Sequence, residues 1–260
     1  MANSTVLHEL RERIAQIEGV SSRHPALPFQ IDAIDQSLPD GGLATGALHE
    51  VAGSRELADD AAATVFLAGI LARMEGTVFW CMHWRDLFAP ALHFAGLHPD
   101  RVIFIEAGSD TNVLIAMEEC LRQPGLGGVV GELRKLSLTA SRRLQLAAEE
   151  SGVPAFVFRR GLPADAVADG TAAMTRWRIK AAPSERLGIP SLARPRWQVA
   201  LERVRGVEPK LWILEGCDAQ GRLAIPADLG RRIASGARPG GRLKAKPLPS
   251  SRLIPITAGV

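Results

Sequence analysis

The chain has 260 residues, 47% of them apolar, with five Trp, no Tyr and a net charge of +3. That is enough for one large α/β domain with extensions, and no apolar run reaches the ~20 residues that a membrane-spanning helix needs. The three cysteines, Cys81, Cys120 and Cys217, are far apart and form no C-x-x-C pair, so they read as small apolar residues in a reducing cytoplasm rather than as zinc ligands.

The first segment, residues 4 to 18, predicts an amphipathic helix. Val6, Leu7, Leu10, Ile14 and Ile17 share one stripe, opposite Glu9, Arg11, Glu12, Arg13 and Glu18. Its apolar face must be covered, either by its own domain or by another subunit. Leu7, Leu10 and Ile14 are therefore candidate partner contacts. No apolar signal-peptide core is present in this N-terminal segment. Residues 20 to 30, with Pro25 and Pro28, read as a linker.

The stretch from Leu38 to Phe66 reads as a Gly turn at Gly41 and Gly42, a strand over Ala47 to Ala52, a loop and then an Ala-rich helix over Ala58 to Met74. That is the layout of a phosphate-binding loop, G-x-x-x-x-G-K-[S/T]. Gly53 fits the first glycine, but the second falls at Ala58, the lysine at Asp59 and the Ser/Thr at Asp60. In the working motif the lysine neutralises the β- and γ-phosphates and the hydroxyl holds Mg²⁺. Two like charges 4 Å apart repel by roughly 1 kcal/mol in water and about 4 kcal/mol at an effective dielectric of 20. A polyphosphate is expected to meet that repulsion twice, at Asp59 and at Asp60. Both acids also suit the first turn of a helix on dipole grounds alone.

Strands follow at Thr77–Met82, Arg101–Glu106, Gly127–Gly131 and Val153–Phe158, separated by helices over Leu87–Ala95, Thr111–Arg122 (capped by Asp110 or Ser109) and from Ser137 or Thr139 to Ser151. The βαβαβαβ order predicts a doubly wound, mostly parallel sheet. His83 and Asp86 fall just past a strand's C-terminal end, where open sheets bind ligands; they are a weak acid–base pair, and His49 and Glu50 are expected to be structural. After an Ala/Asp/Gly loop at Gly161–Ala173, the segments 176–181, 196–205, 211–216 and 222–225 alternate and predict antiparallel edge strands, the last two flanking a C-D-A-Q-G turn. Trp177 and Trp197, interleaved with Arg176, Arg178, Lys180 and Arg196, are either core residues or a docking face.

After Asp228 no acidic residue appears, while Arg231, Arg232, Arg238, Arg242, Lys244, Lys246 and Arg252 are basic. These seven outnumber the net charge of +3, so the rest of the chain is net negative and the basic character belongs to a tail. The tail is rich in Pro and Gly, is expected to be flexible, and suits contact with DNA or an acidic partner, or simple solvation. The organisation expected is a helix over 1–20, a core domain over 31–230 and a tail over 231–260.

The segment L-P-D-G-G-L-A-T-G-A-L-H-E-V-A-G resembles the segment by which RecA proteins enter their phosphate loop. Together with D-L-F-A-P-A-L, A-M-E-E-C-L-R, L-T-A-S-R-R-L-Q-L-A-A-E and R-W-Q-V-A-L-E-R-V-R-G, it is similar to the ImuA family, RecA-like proteins of bacterial mutagenesis cassettes. The resemblance spans residues 38 to 206. It implies a RecA-like fold and a non-catalytic accessory role in SOS-induced, error-prone translesion DNA synthesis. Its implied partners are an ImuB-like protein, RecA and an error-prone C-family DNA polymerase, with localisation to the cytoplasm and to the nucleoid during damage. The resemblance aligns RecA's catalytic glutamate with His83, and its metal-associated aspartate with Gly131 or, with a one-residue shift, Glu132 as a remnant acid. The counterpart of RecA's DNA-binding loops, Gly161–Thr175, carries Asp165 and Asp169 and has basic residues only at its borders, Arg159, Arg160 and Arg176, too few for backbone neutralisation. No cofactor, metal or ATP hydrolysis is expected. A divergent DNA-dependent ATPase and a SulA-like division inhibitor are the competing readings.

Overall fold

The computed structural model describes residues 24–163, 170–184, 194–204 and 207–227. The expected N-terminal helix with Leu7, Leu10 and Ile14, the acids Asp165 and Asp169, and the tail with Arg231, Arg232 and Arg242 lie outside them. The described chain forms ten strands, β1 (Ala26–Leu27), β2 (Leu43–Ala44), β3 (Leu48–Ala52), β4 (Val78–Met82), β5 (Val102–Glu106), β6 (Gly128–Glu132), β7 (Ala155–Arg159), β8 (Thr175–Ala182), β9 (Arg196–Val204) and β10 (Lys210–Glu215). Five α-helices accompany them: α1 (Asp32–Asp35), α2 (Leu57–Ala72), α3 (Ala89–Phe94), α4 (Asp110–Leu121) and α5 (Leu138–Ser151).

The main sheet has the order β10-β9-β8-β3-β7-β6-β4-β5. Pairs from β8 through β5 are parallel, and β8-β9-β10 run antiparallel at the edge. This is the mostly parallel, RecA-like sheet with an antiparallel C-terminal edge that the sequence predicts. β3 and β7 are central and wholly buried, as parallel strands covered on both faces must be.

Strand alternation divides the interior in two. On one face, Val51, Trp80, Met82, Val130, Phe156, Phe158, Trp177 and Ile179 meet Phe66, Leu67 and Ile70 of α2. On the other, Leu48, Cys81, Val129, Ala155 and Val157 meet Val113 and Met117 of α4 and Leu144 of α5. Ser109 caps α4 through Asn112 N, and Ser137 caps α5 through Ala140 N, each satisfying an orphan N–H.

Two expectations are corrected, and one open alternative is decided. Residues 24–30 are not a linker. β1 pairs antiparallel with β2, and Phe29 is buried 5.4 Å from the Trp177 ring. A Cβ on Gly42 would lie 2.7 Å from the Leu27 carbonyl carbon, so only glycine admits this strand pair. Residues 222–225 do not form a strand; a single bridge joins Ala224 to Glu215 after a turn in which Asp218 Oδ1 accepts from Gln220 N and Arg222 N. Trp177 and Trp197 are 1% and 3% exposed, so they belong to the core and are not a docking face. Trp177 packs on Phe66 of α2 with ring centroids 5.8 Å apart, and the alternate residues of β8 and β9 turn into the same core.

Candidate functional site

Parallel strands deliver their C-terminal ends to one edge. There Gly53 leaves β3, His83 leaves β4, Glu132 ends β6 and Arg160 leaves β7. They surround a cavity of about 440 Å³ lined by Asp60, His83, Trp84, Asp86, Glu132 and Arg160. The position is that of a nucleotide site in open α/β folds, and its contents are self-complementary.

The guanidinium of Arg160 occupies the centre. Its Nη1 donates to Asp86 Oδ1 at 2.7 Å and to Glu132 Oε2 at 3.1 Å, and its Nε lies 3.9 Å from Asp60 Oδ2. Burial opposes its charge, but Asp86 and Glu132 more than offset that and hold it firmly protonated. Glu132 is buried, and its other oxygen accepts from Trp80 Nε1 at 2.9 Å. Of the two counterparts left open for the metal-associated acid, Glu132 lines the cavity. Gly131 faces away, beneath Met117.

The phosphate-loop counterpart is closed by its own side chains. A Cβ on Gly53 would overlap Asp60 Oδ1 and lie 2.7 Å from Asp60 N and Cα. The loop therefore packs directly on the first turn of α2, leaving no cradle between them. Asp60 Oδ2 accepts from Gly161 N at 3.0 Å. Burial raises the Asp60 carboxyl to about 6, opposed by the Gly161 hydrogen bond and Arg160 and reinforced by Glu132 and Asp59. Asp59 does something else. It turns away from the cavity, accepting from Ala181 N at 2.7 Å and from Ser54 Oγ at 2.7 Å. Ser54 Oγ in turn accepts from Glu56 N at 3.0 Å. Ala58 is exposed. The expected double repulsion at the loop is thus corrected to a single one: Asp60 faces the cavity, and Asp59 bolts the loop to β8.

The weak pairing expected between His83 and Asp86 is not formed. His83 Nε2 lies 2.7 Å from Asp110 Oδ1, while Asp86 serves Arg160. Asp110 also accepts from Arg134 N and Lys135 N at 3.1 Å each, so it organises the loop after β6. His49 and Glu50 are both buried. His49 Nδ1 bonds Thr175 Oγ1 and Nε2 bonds the Ala44 carbonyl, each at 2.8 Å, and burial lowers its pKa to about 4, against the Ala44 bond. Glu50 accepts from Thr171 Oγ1 and from Arg176 Nη2 at 2.9 Å, with Arg159 Nη1 at 3.6 Å.

The three basic residues bordering the Gly161–Thr175 loop are therefore committed to carboxylates: Arg159 and Arg176 to Glu50, Arg160 to Glu132 and Asp86. Sequence reasoning missed Arg160 as the centre of the site, although a signal existed. Consecutive arginines ending a buried strand must point to opposite faces, and a buried carboxylate on each face, Glu50 in β3 and Glu132 in β6, requires a cation. Among the described residues, no group of three or more His, Cys, Asp and Glu side chains is placed to hold a metal ion, and no helix is long and apolar enough to cross a membrane.

No known family model matches the chain. It is similar to Protein ImuA from Caulobacter vibrioides strain NA1000 / CB15N and to Protein ImuA from strain ATCC 19089 of the same species. Each is 37% identical over 219 residues, covering 77% of this chain and 87% of the relative. Identity at that level over nearly the whole relative, on a RecA-like sheet, gives the conclusion that the chain belongs to the ImuA family.

Proposed function

We propose that this protein is a non-catalytic accessory factor of SOS-induced, error-prone translesion DNA synthesis that acts by holding other proteins. The observation that carries this reading is Arg160 seated between Asp86 and Glu132. The cation that a nucleotide's phosphates would need is already neutralised, and Asp60 places a carboxylate over the Gly53 loop. A bound triphosphate would have to draw Arg160 away from Glu132, leaving that buried carboxylate without its cation. With Ala58, Asp59 and Asp60 in place of Gly, Lys and Ser/Thr, the loop offers neither the lysine nor the metal-holding hydroxyl of a working site.

The commitment of Arg159, Arg160 and Arg176 to internal acids likewise argues against strong DNA contact by the following loop. Function then rests on protein contacts with an ImuB-like protein, RecA and an error-prone C-family DNA polymerase, in the cytoplasm. Its contact surfaces are the stripe of Leu7, Leu10 and Ile14 and the basic tail with Arg231, Arg232 and Arg242. DNA contact, if made, belongs to that tail. The test is capture of an ImuB-like protein and of RecA by the full chain and by truncations lacking residues 1–20 or 231–260, the second of which leaves β10 in the sheet. Loss of one partner with each truncation is expected; undiminished capture by both truncations rejects these surfaces.

A further inference from the structure

A second cavity, of about 650 Å³, lies between α4 and α5. Leu121, Pro124, Leu146 and Ala147 form its apolar lining, and Leu146 is 63% exposed. Charges surround Leu146 in a fixed order. Arg142 and Arg143 precede it by four and three residues, and Glu149 and Glu150 follow it by three and four. Residues three and four apart share a helix face, so all five lie on one stripe of α5.

That order does little for α5 itself. Pairing along a helix needs a spacing of three or four residues, and each of these arginines is six to eight residues from each glutamate. Glu149 and Glu150 also occupy the last turn, where the helix dipole disfavours negative charge. Arg143 pairs with Glu118 of α4, and Glu149 accepts from Gln145 Nε2 at 2.7 Å. Arg142 and Glu150 make no ion pair among the described residues.

We propose that α5 pairs antiparallel with α5 of a second copy of this chain, about a two-fold axis at Leu146. Such an axis brings residues equally far before and after Leu146 level with each other. Arg142 then meets Glu150 of the second copy, about 6 Å along the helix from the axis, and Arg143 meets Glu149 at about 4.5 Å. The flanks match as well. At 100° per residue, Arg142 and Glu149 lie on one side of Leu146 and Arg143 and Glu150 on the other, and the two-fold sets each arginine beside a glutamate. Four pairs of opposite sign result, with no like charges opposed. Each last turn, with its two glutamates, also comes against the N-terminal half of the other helix, the favourable sense for both dipoles. The two Leu146 side chains meet on the axis and cover each other. A uniformly basic or uniformly acidic partner would match only half of the stripe. One helix face on each side falls short of the ~1,200 Å² of a standard interface, and exposed ion pairs set register more than affinity. The dimer is therefore weak, and its population follows concentration.

Sedimentation velocity of the full chain over a concentration series tests the proposal. The parent is expected to shift from monomer towards dimer as concentration rises. Two double variants, Arg142→Glu with Arg143→Glu and Glu149→Arg with Glu150→Arg, oppose like charges in their own dimers and are expected to stay monomeric. Their equimolar mixture is expected to recover the dimer, because each then supplies the sign the other needs. A parent that is monomeric at every concentration, a dimer that persists in either double variant, or a folded mixture that stays monomeric overturns the proposal. Leu146→Cys gives a second readout that leaves the charges in place. A residue on the axis meets its own copy, so this variant is expected to crosslink to itself under mild oxidation. Arg142→Cys and Glu150→Cys are expected to crosslink when mixed, and neither alone. Absence of the Leu146→Cys crosslink, or self-crosslinking of Arg142→Cys in its place, also overturns the pairing.

Discussion

Asp60 stands where a phosphate loop keeps a hydroxyl, and its ionised form is held in the fold at a cost. Its carboxyl titrates at about 6 rather than 3.8 because burial penalises the charge more than Gly161 N and Arg160 relieve it. A pKa raised in the folded state means the folded protein binds the proton more tightly than the unfolded chain. Stability contributed by that proton is present below the unfolded value and is lost as pH rises through 4 to 6. At about 1.36 kcal/mol per unit, two units give at most about 3 kcal/mol of penalty above pH 7. The side chain is partly reached by solvent and lies beside a guanidinium, so screening reduces this to about 1–2 kcal/mol. Asp60→Asn keeps an oxygen to accept from Gly161 N and removes the charge. We expect urea unfolding at pH 8 to show the variant more stable by about 1 kcal/mol, with the gain shrinking through pH 6 to 4 and vanishing below. A variant less stable than the parent at pH 8, or a gain independent of pH, would refute the reasoning that Asp60 is a desolvated charge facing a closed loop.

Other substitutions probe the same closure. Asp59→Ala strips the partner from Ala181 N and Ser54 Oγ and should cost about 2–3 kcal/mol in chemical denaturation, with Asp59→Asn costing less; a neutral Asp59→Ala would mean the bolt to β8 is dispensable. Gly53→Ala places a methyl against the backbone of Asp60 and should destabilise by about 1–3 kcal/mol through overpacking, measured by thermal melting against an Ala58→Gly control, which changes only an exposed position. Arg160→Met leaves Glu132 buried without its cation and should lose about 2–4 kcal/mol. Adding Glu132→Gln should recover part of that loss, and a double-mutant cycle with no coupling would contradict the central ion cluster.

Much of the fold was legible because its signals are periodic. The Ala47–Ala52 strand, the helix from Ala58 and the alternation of Arg176–Ala181 all fall within a residue or two of β3, α2 and β8. The pieces that were not legible are those with no period. β1 and β2 are two residues each, too short for alternation, and their pairing depends on the bare Cα of Gly42 against Leu27. The identity of the loop was readable from Gly53 and its spacing, but the division of labour between Asp59 and Asp60 was not. Neighbours on a first helical turn point about 100° apart, and which of them meets β8 depends on Ala181, 122 residues away. Likewise His83 met Asp110 rather than the nearer Asp86, because α4 begins beside the end of β4 in space. The tryptophans of β8 and β9 were ambiguous in the sequence because alternation leaves open which face is covered: both join the core that Phe66 of α2 shares, and only the three-dimensional packing says so.

The central claim is that the edge at which RecA-like folds bind nucleotide is closed here by Asp60, Arg160 and Glu132. The most direct test is titration of the full chain with a fluorescent ATP analogue and Mg²⁺, with and without single-stranded DNA, alongside phosphate release. The account predicts no saturable binding and no release above background. Saturable binding that is competed by ATP and lost on Gly53→Ala would contradict it.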